Sequence, residues 1–207
     1  MAMELAKDPY NIIITGVGGQ GNVMASRMLG GILAAKGLHV TIGETFGASQ
    51  RGGSVMSHLR VSRSSAWSPQ IPRGGADLVV ALEPIEALRV MPGYGNPGTR
   101  VLGNTRPVYP VQVIAGEFSY PSLDELKDAL AQLTGGARFI DATDEAIALG
   151  NPILGNVVML GAVAGLDVLP FEESDFGMMI RTSVPAGKVE VNMKAFRRGV
   201  ELARPVH

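Results

Sequence analysis

The sequence contains no cysteine, and charged and aromatic residues make up only 18% and 5% of its 207 positions. Without cysteine, this chain cannot form disulfides or hold zinc or an iron–sulfur cluster through thiolates. A charged fraction below the usual ~25% suggests that partner subunits cover part of the surface. The 18 basic and 19 acidic residues give a net charge of −1, so we expect no nucleic acid and no anionic membrane as partner.

Long apolar runs are also absent. No run reaches the ~18 residues of a transmembrane helix, and the first residues, MAMELAKDPYN, lack the apolar segment of a signal peptide. We therefore expect a cytoplasmic protein that does not enter a membrane. Apolar residues still make up 46% of the chain, enough for a substantial core. The length predicts a single domain over 1–207. Within this domain we expect a Rossmann-like core at about 10–150 and C-terminal helices at about 151–203.

Strand and helix patterns alternate along the chain. A β-branched run at 11–15, a glycine turn at 16–21, an amphipathic helix at 22–36 and a strand at 39–44 form a βαβ unit. Further strands are predicted at 54–61, 76–82, 100–104, 111–117 and 138–141. Further helices are predicted at 84–89, 123–133, 143–149, 151–166, 173–183 and 188–203, with a loop at 91–98. This order predicts an α/β fold, a Rossmann-like open sheet that is mostly parallel and has helices on both faces.

The glycine turn has the spacing of a dinucleotide-binding motif, with Gly16, Gly18 and Gly21 between a strand and a helix. Glycines let backbone amides approach phosphate oxygens, and the start of a helix attracts an anion. Glu44 ends the second strand 23 residues after Gly21, where such folds carry a ribose-binding carboxylate. One hypothesis is therefore a self-contained NAD-dependent dehydrogenase. Another is a turn that only lets helix and strand pack closely.

Groups able to perform acid–base chemistry are scarce. The sequence has three histidines; His207 is terminal, His39 begins a strand, and His58 lies inside a strand, where a packed, hydrogen-bonded role is favoured. No Ser-His-Asp arrangement, metal-ligand cluster or carboxylate pair is evident. The sequence thus predicts an anion cradle without a catalytic group.

A second glycine-rich loop, at 46–53, carries more hydrogen-bonding groups than a spacer needs. The guanidinium of Arg51 can bind a phosphate or a carboxylate. We expect this loop and the turn at 16–21 to follow adjacent strands and so to share one rim of the sheet. The predicted cofactor-binding residues are Gly16, Gly18, Gly19, Gln20 and Gly21 in the turn, and Ser49, Gln50, Arg51, Gly52 and Gly53 in the loop.

Three stretches of the sequence resemble a known family. They are GVGGQG at 16–21, QRGGSV at 50–55 and ALEPIEALR at 81–89. Together they resemble the gamma-type subunits of 2-oxoacid:ferredoxin oxidoreductases, and most of all the small (beta) subunits of indolepyruvate:ferredoxin oxidoreductases. The resemblance covers about residues 10–202.

The resemblance implies a function that composition alone does not. Such enzymes oxidatively decarboxylate a 2-oxoacid, with coenzyme A (CoA) as acyl acceptor and ferredoxin as electron acceptor. Thiamine diphosphate, magnesium and the iron–sulfur clusters belong to partner subunits, and the gamma-type subunit helps to frame the CoA or substrate entrance. No catalytic residue carries over to this chain, which we expect to be inactive alone. A purely structural subunit and the NAD-dependent dehydrogenase remain the alternatives.

Overall fold

The fold is a six-stranded sheet with helices on both faces, seen in a computed structural model that describes residues 5–46 and 53–204. The strands are β1 (Tyr10–Val17), β2 (His39–Phe46), β3 (Ser54–Ser62), β4 (Leu78–Ala81), β5 (Arg100–Asn104) and β6 (Gly136–Ile140). The helices are α1 (Asn22–Ala35), α2 (Pro84–Tyr94), α3 (Val111–Ile114), α4 (Leu123–Leu133), α5 (Ala142–Ala148), α6 (Gly155–Gly165), α7 (Glu173–Ser183) and α8 (Ala186–Ala203), with a 3-10 turn at Pro152–Leu154 before α6. The predicted α/β class is confirmed.

Strand β1 lies at the centre of the core, and each of its eight residues is buried. Side chains alternate between the faces of a strand. Ile12 and Ile14 therefore pack into one apolar cluster, which also contains residues of α1, α6, α7 and α8. Ile13 packs into a second cluster on the other face, with residues of α2 and α4. A strand covered on both faces favours the continuous β-branched run found here.

The strand order is β2-β3-β1-β4-β5-β6. The pairs β1–β4, β4–β5 and β5–β6 are parallel, as predicted, whereas β3 is antiparallel to both of its neighbours. The expectation that β1 and β2 are adjacent is therefore wrong, because β3 lies between them. β2 and β3 pair along their whole length, from His39 opposite Ser62 to Phe46 opposite Val55. Residues 47–53 connect them, and a connection this short joins antiparallel strands.

Helices α6 and α8 cross closely within the apolar cluster that contains Ile12 and Ile14. A Cβ atom on Gly199 would lie 1.9 Å from the carbonyl oxygen of Val158, and one on Gly161 would lie 2.0 Å from that of Phe196. Both distances are far below van der Waals contact, so only glycine fits at these two positions. The apolar helix predicted at 151–166 is thus buried by the rest of the chain. Among residues 5–46 and 53–204, no helix combines the length and hydropathy needed to cross a membrane.

Two local predictions are wrong. The segment predicted as a strand at 111–117 contains the short helix α3, which follows Pro110 and has no buried residue. Helix α2 continues to Tyr94, beyond the predicted end at residue 89 and into the predicted loop at 91–98. Pro92 is tolerated because it lies in the last turn, where its missing N–H costs the helix a single hydrogen bond. Ser122 and Glu125 have the S-x-x-E spacing that predicts a capping box, and this box is present at the start of α4.

Candidate functional site

The glycine turn joins the carboxyl end of β1 to the start of α1. Gly19 and Gly21 have φ angles of 103° and 84°, a conformation that glycine adopts without steric cost. At Gly16 a Cβ atom would lie 2.5 Å from Oε1 of Gln20 and 2.7 Å from Oδ1 of Asn22, so a larger residue would displace these two side chains. The spacing of the glycines thus follows from the shape of the turn.

The side chain of Gln20 folds back into this turn. Its Oε1 accepts a hydrogen bond of 2.9 Å from the N–H of Val17, and its Nε2 donates one of 2.9 Å to the carbonyl of Leu82, just after β4. Asn22 similarly donates from Nδ2 to the carbonyl of Val17 at 3.1 Å. The carboxamide of Gln20 therefore ties the turn to the neighbouring strand. The groups that face outward from the turn are mainly backbone.

The start of α1 is electrostatically suited to an anion. Gly21 is its N-cap residue, and no side chain among the described residues caps it. Its first turn contains no acidic residue, so no carboxylate there offsets the partial positive charge of the helix end. Asn156, at the start of α6, donates to the carbonyl of Gly21 at 3.4 Å and holds the two helix ends together.

Gly53, at the described end of the second predicted loop, contacts the glycine turn. The N–H of Gly18 donates a hydrogen bond of 2.9 Å to the carbonyl of Gly53. Ser49, Gln50, Arg51 and Gly52 lie outside the described residues. The described residues that flank the second loop, Phe46 and Gly53, lie at the same edge of the sheet as the glycine turn, because β1 and β2 both end there. Gly53 lies next to the turn because β3 begins beside β1.

A cleft of about 400 Å³ lies on the other side of the glycine turn. It opens at the carboxyl ends of β1, β4 and β5, where open α/β sheets bind ligands. The cleft is lined by residues of the glycine turn, of the segment after β5 and of the start of α6, including Gly19, Gln20, Leu82, Asn104, Arg106, Val108, Asn151, Ile153, Asn156 and Met159. Gly19 and Gln20 are among the predicted site residues and the others are not, because the cleft forms only when segments far apart in sequence come together.

Most polar groups of the cleft serve the protein itself. Asn104 donates to the carbonyl of Leu82 at 3.1 Å and to Oγ1 of Thr143 at 2.8 Å, and it accepts from the N–H of Thr143 at 3.2 Å. Arg106 forms an exposed ion pair of 2.6 Å with Asp144 at the rim. What the cleft offers is therefore a largely apolar lining with one charged pair at its edge.

Glu83 has a fully buried carboxyl group. It follows Leu82, the first residue after β4. Its Oε1 accepts hydrogen bonds from the hydroxyl of Tyr120 and, at 3.3 Å, from the N–H of Val108, while Oε2 accepts from the N–H of Glu86 at 3.2 Å. Burial raises the pKa of Glu83, although these hydrogen bonds act in the opposite direction. Burial and the same contact also raise the pKa of Tyr120. Glu83 thus fastens both ends of the segment 108–120 to the start of α2.

A second buried carboxyl group, Glu86, lies one turn further along α2. It accepts a hydrogen bond of 2.6 Å from the hydroxyl of Ser54 and forms an ion pair with Arg89. Ser54 begins β3 immediately after Gly53, so this contact fixes the second loop relative to α2. The sequence analysis assigned no role to either carboxyl group, although both Glu83 and Glu86 lie in the motif at 81–89 that carries the family resemblance.

The geometry disfavours the dinucleotide hypothesis. Glu44 belongs to β2, which is two strands away from β1, about 10 Å at the usual strand spacing. Its carboxylate lies 3.4 Å from Nε of Arg27 in an ion pair. His58 is buried, accepts a hydrogen bond from the N–H of Ile71 and packs edge-on against Tyr94. Burial lowers its pKa. The packed role predicted for His58 is confirmed.

Metal ligands are not assembled in the part of the chain that the structure describes. Within residues 5–46 and 53–204, no three His, Asp or Glu side chains are grouped so that they could hold a metal ion. The sequence itself offers no thiolate. What is assembled is a glycine turn at a helix start, a second loop beside it and an apolar cleft.

Comparison with known proteins points to one family. The family model described as pyruvate ferredoxin/flavodoxin oxidoreductase matches residues 11–202. The indolepyruvate oxidoreductase subunit IorB of Thermococcus kodakarensis is 41% identical over 197 residues, which cover 94% of this chain and 96% of that protein.

Solved structures share the fold at lower identity. The PORC subunit of pyruvate oxidoreductase from Thermotoga maritima has a TM-score of 0.69 and 22% identity, with 95% of this chain and 97% of that chain covered. A 2-oxoglutarate:ferredoxin oxidoreductase from Magnetococcus marinus has a TM-score of 0.72 and 22% identity. There, 95% of this chain matches 31% of a longer chain.

Proposed function

Because the chain belongs to the pyruvate ferredoxin/flavodoxin oxidoreductase family, we propose that it is the small subunit of a thiamine-dependent enzyme that oxidises indolepyruvate or a related aryl-pyruvate. The chain is a small subunit of a 2-oxoacid:ferredoxin oxidoreductase, as its resemblance to gamma-type subunits predicts. The narrower assignment to aryl-pyruvates is supported by the extent of the match to the IorB subunit, which spans nearly all of both proteins.

The proposed reaction converts a 2-oxoacid and the thiol of CoA to an acyl-CoA, carbon dioxide and a proton. The two electrons released reduce two molecules of ferredoxin. Thiamine diphosphate, magnesium and iron–sulfur clusters would be held by the companion chains and would supply the decarboxylation and the electron path. The cysteine-free sequence supports this division, because protein-bound iron–sulfur clusters are held by cysteine thiolates.

In this proposal the chain contributes binding geometry. The turn at 16–21 and the loop at 46–53 would form a rim that holds an anionic group, a CoA phosphate or the substrate carboxylate, beside the partner's thiamine site. The observation that carries this proposal is the contact between Gly18 and Gly53, which joins the two loops at the start of a helix without acidic residues in its first turn. Arg51, within the second loop, would supply the positive charge.

The test is a kinetic comparison in the reconstituted complex of this chain with its larger companion. We expect Arg51→Ala to raise the KM for CoA or for the 2-oxoacid roughly 10-fold, the effect of losing one charge-assisted hydrogen bond. Arg63→Ala is the matched control. Arg63 is a half-exposed arginine that follows β3 at the opposite edge of the sheet, so its loss should leave both constants unchanged.

Two results would count against the proposal. Unchanged kinetics of Arg51→Ala would exclude this role for the second loop. Oxidation of a 2-oxoacid by the purified chain without a companion would contradict the assignment of the chemistry to partner subunits. Titration of the isolated chain with NADH checks the dehydrogenase alternative, for which tight binding is required.

A further inference from the structure

A segment with exposed apolar side chains, which we call the protrusion, lies next to the cleft. It comprises residues 107–118, which include α3, and its large side chains face solvent. Val111, Ile114 and Phe118 are 77%, 75% and 67% exposed, and Val108 and Tyr109 are also exposed. Scattered apolar side chains are ordinary on a surface, but a contiguous apolar patch marks an interaction site.

Hydrogen bonds to a buried carboxyl group hold the protrusion in place. Val108 and Tyr120, close to its two ends, both donate hydrogen bonds to the buried Oε1 of Glu83. Tyr109 packs edge-on against Tyr120, with ring centroids 5.2 Å apart. The segment therefore presents its apolar side chains from a fixed base. A surface that is ordered before binding loses less conformational entropy when it binds.

The protrusion and the cleft form one continuous surface. Val108 is exposed at the start of the protrusion and also lines the cleft, and the half-exposed Ile153 lies on the opposite wall. The ion pair of Arg106 and Asp144 lies at the edge. An apolar centre with a polar rim is the usual arrangement of a protein interface.

We infer that the protrusion 107–118 and the adjoining cleft are the docking surface for the larger companion subunit of the complex, through a neutral apolar face of that subunit. This inference rests on the proposed function for the existence of the companion. Glu117 is the one charged residue within 107–118, so the occupant needs apolar contact area and little charge of either sign.

A second copy of this chain fits this surface less well. Another apolar groove in the described part of the chain lies between α1 and α7, lined by Ile32, Met178 and Met179. That groove is on the face of the sheet covered by α1 and α7, whereas the protrusion leads into α4 on the opposite face. Insertion of the protrusion of one copy into that groove of another would be a head-to-tail contact, which makes open chains unless its rotation happens to close. A two-fold contact between the protrusions of two copies would close, and the test that follows separates it from docking of the companion.

The test is assembly of the two co-expressed subunits, read by size-exclusion chromatography and by the dissociation constant. We expect Val111→Asp combined with Ile114→Asp to weaken assembly at least ~30-fold, because two charges would have to be buried in an apolar interface. The lone variant should fold normally, since both side chains are exposed. Met178→Asp, on the exposed side of α7, is the matched control and should assemble like the wild type.

Tyr120→Phe tests the base of the protrusion separately. It removes the hydroxyl that binds Glu83 without adding charge, so we expect a smaller loss of affinity, about 5-fold. Wild-type affinity of the double aspartate variant would overturn the inference. So would a homodimer of the lone chain that the double variant disrupts while assembly with the companion is retained.

Assembly and activity give separate answers. A wild-type complex that forms but does not oxidise 2-oxoacids would refute the proposed function and leave the docking surface intact. A complex that is active and forms equally well with the double variant would refute the docking surface alone.

Discussion

The crossing of α6 and α8 yields the sharpest prediction of stability. Replacing a glycine inside a helix by alanine ordinarily stabilises the helix by up to ~1 kcal/mol. At Gly199 the new Cβ atom would lie 1.9 Å from the carbonyl oxygen of Val158 and 2.7 Å from the backbone nitrogen of Ala162. Because both neighbours are backbone atoms of a buried helix, α8 must move away by more than 1 Å.

Such a shift would loosen the packing of Phe196, which is fully buried and stacked on Phe176 with ring centroids 4.3 Å apart. Overpacking of this kind costs about 1–3 kcal/mol. We therefore expect Gly199→Ala to lower the free energy of unfolding by about 1 kcal/mol net of the gain in helix propensity. In a chain of this length the melting temperature should fall by roughly 2–4 °C.

The assay is urea and thermal unfolding of the purified chain, followed by circular dichroism. Gly187→Ala is the matched control, because Gly187 lies in the same helix and a Cβ atom there would meet nothing within 4 Å. It should leave stability unchanged or raise it by up to about 0.5 kcal/mol. If Gly199→Ala were as stable as Gly187→Ala, the close crossing of the two helices would be refuted.

The remaining predictions concern buried polar groups. Asn104→Ala should cost about 2–3 kcal/mol in urea unfolding, because it leaves the carbonyl of Leu82 and the N–H of Thr143 without this partner; the exposed control Gln112→Ala should stay within about 0.5 kcal/mol, and equal stabilities would contradict the bridging role. Glu83 has a pKa above its ordinary value of 4.5 in the folded chain, so its protonation favours folding, and this stabilisation is lost as pH rises through the folded pKa. Glu83→Gln should be the less stable protein, and its deficit relative to the wild type should shrink as pH rises above 4.5; a constant difference across a pH series of urea midpoints would disprove the pKa shift.

The parts of the fold that sequence predicts well are those set by local patterns. The β-branched run of β1, the glycine turn and the capping box of Ser122 and Glu125 each act within a few residues, so their signals lie in adjacent positions. The antiparallel pair of β2 and β3 also has a local signal, since residues 47–53 are too few for a parallel crossover. The insertion of β3 between β2 and β1 has none, because it depends on pairing between distant segments.

The segment 111–117 shows where a local pattern misleads. Val111, Val113 and Ile114 have the β-branched composition of a strand, and β propensity mainly describes how such residues fit a half-buried sheet. Here they lie outside any sheet, and Pro110 starts a short helix instead. From the sequence alone, apolar residues that are exposed on the folded chain cannot be distinguished from apolar residues of its core. This is the pattern expected where a second chain completes the burial.

Sequence predicts only part of the candidate site, because sequence signals act between neighbouring residues. The turn at 16–21 is contiguous and has a recognisable spacing, so its position at the carboxyl end of β1 is confirmed. The cleft and the buried Glu83 arise from β4, β5 and the start of α6, which are separated by tens of residues. No spacing rule links Leu82, Asn104 and Asn156, and only the folded sheet brings them to one edge.

The two faces of the sheet are unequally covered. Among the residues that the structure describes, five helices contribute to the larger cluster on one side, and two helices, α2 and α4, contribute to the smaller cluster on the other. Local opening takes place where few apolar contacts must be broken. The thinly covered side, which carries α4 and leads to the segment held by Glu83, is therefore where amide hydrogens should exchange soonest with solvent. A companion chain seated there would reinforce the molecule where its own layer is weakest.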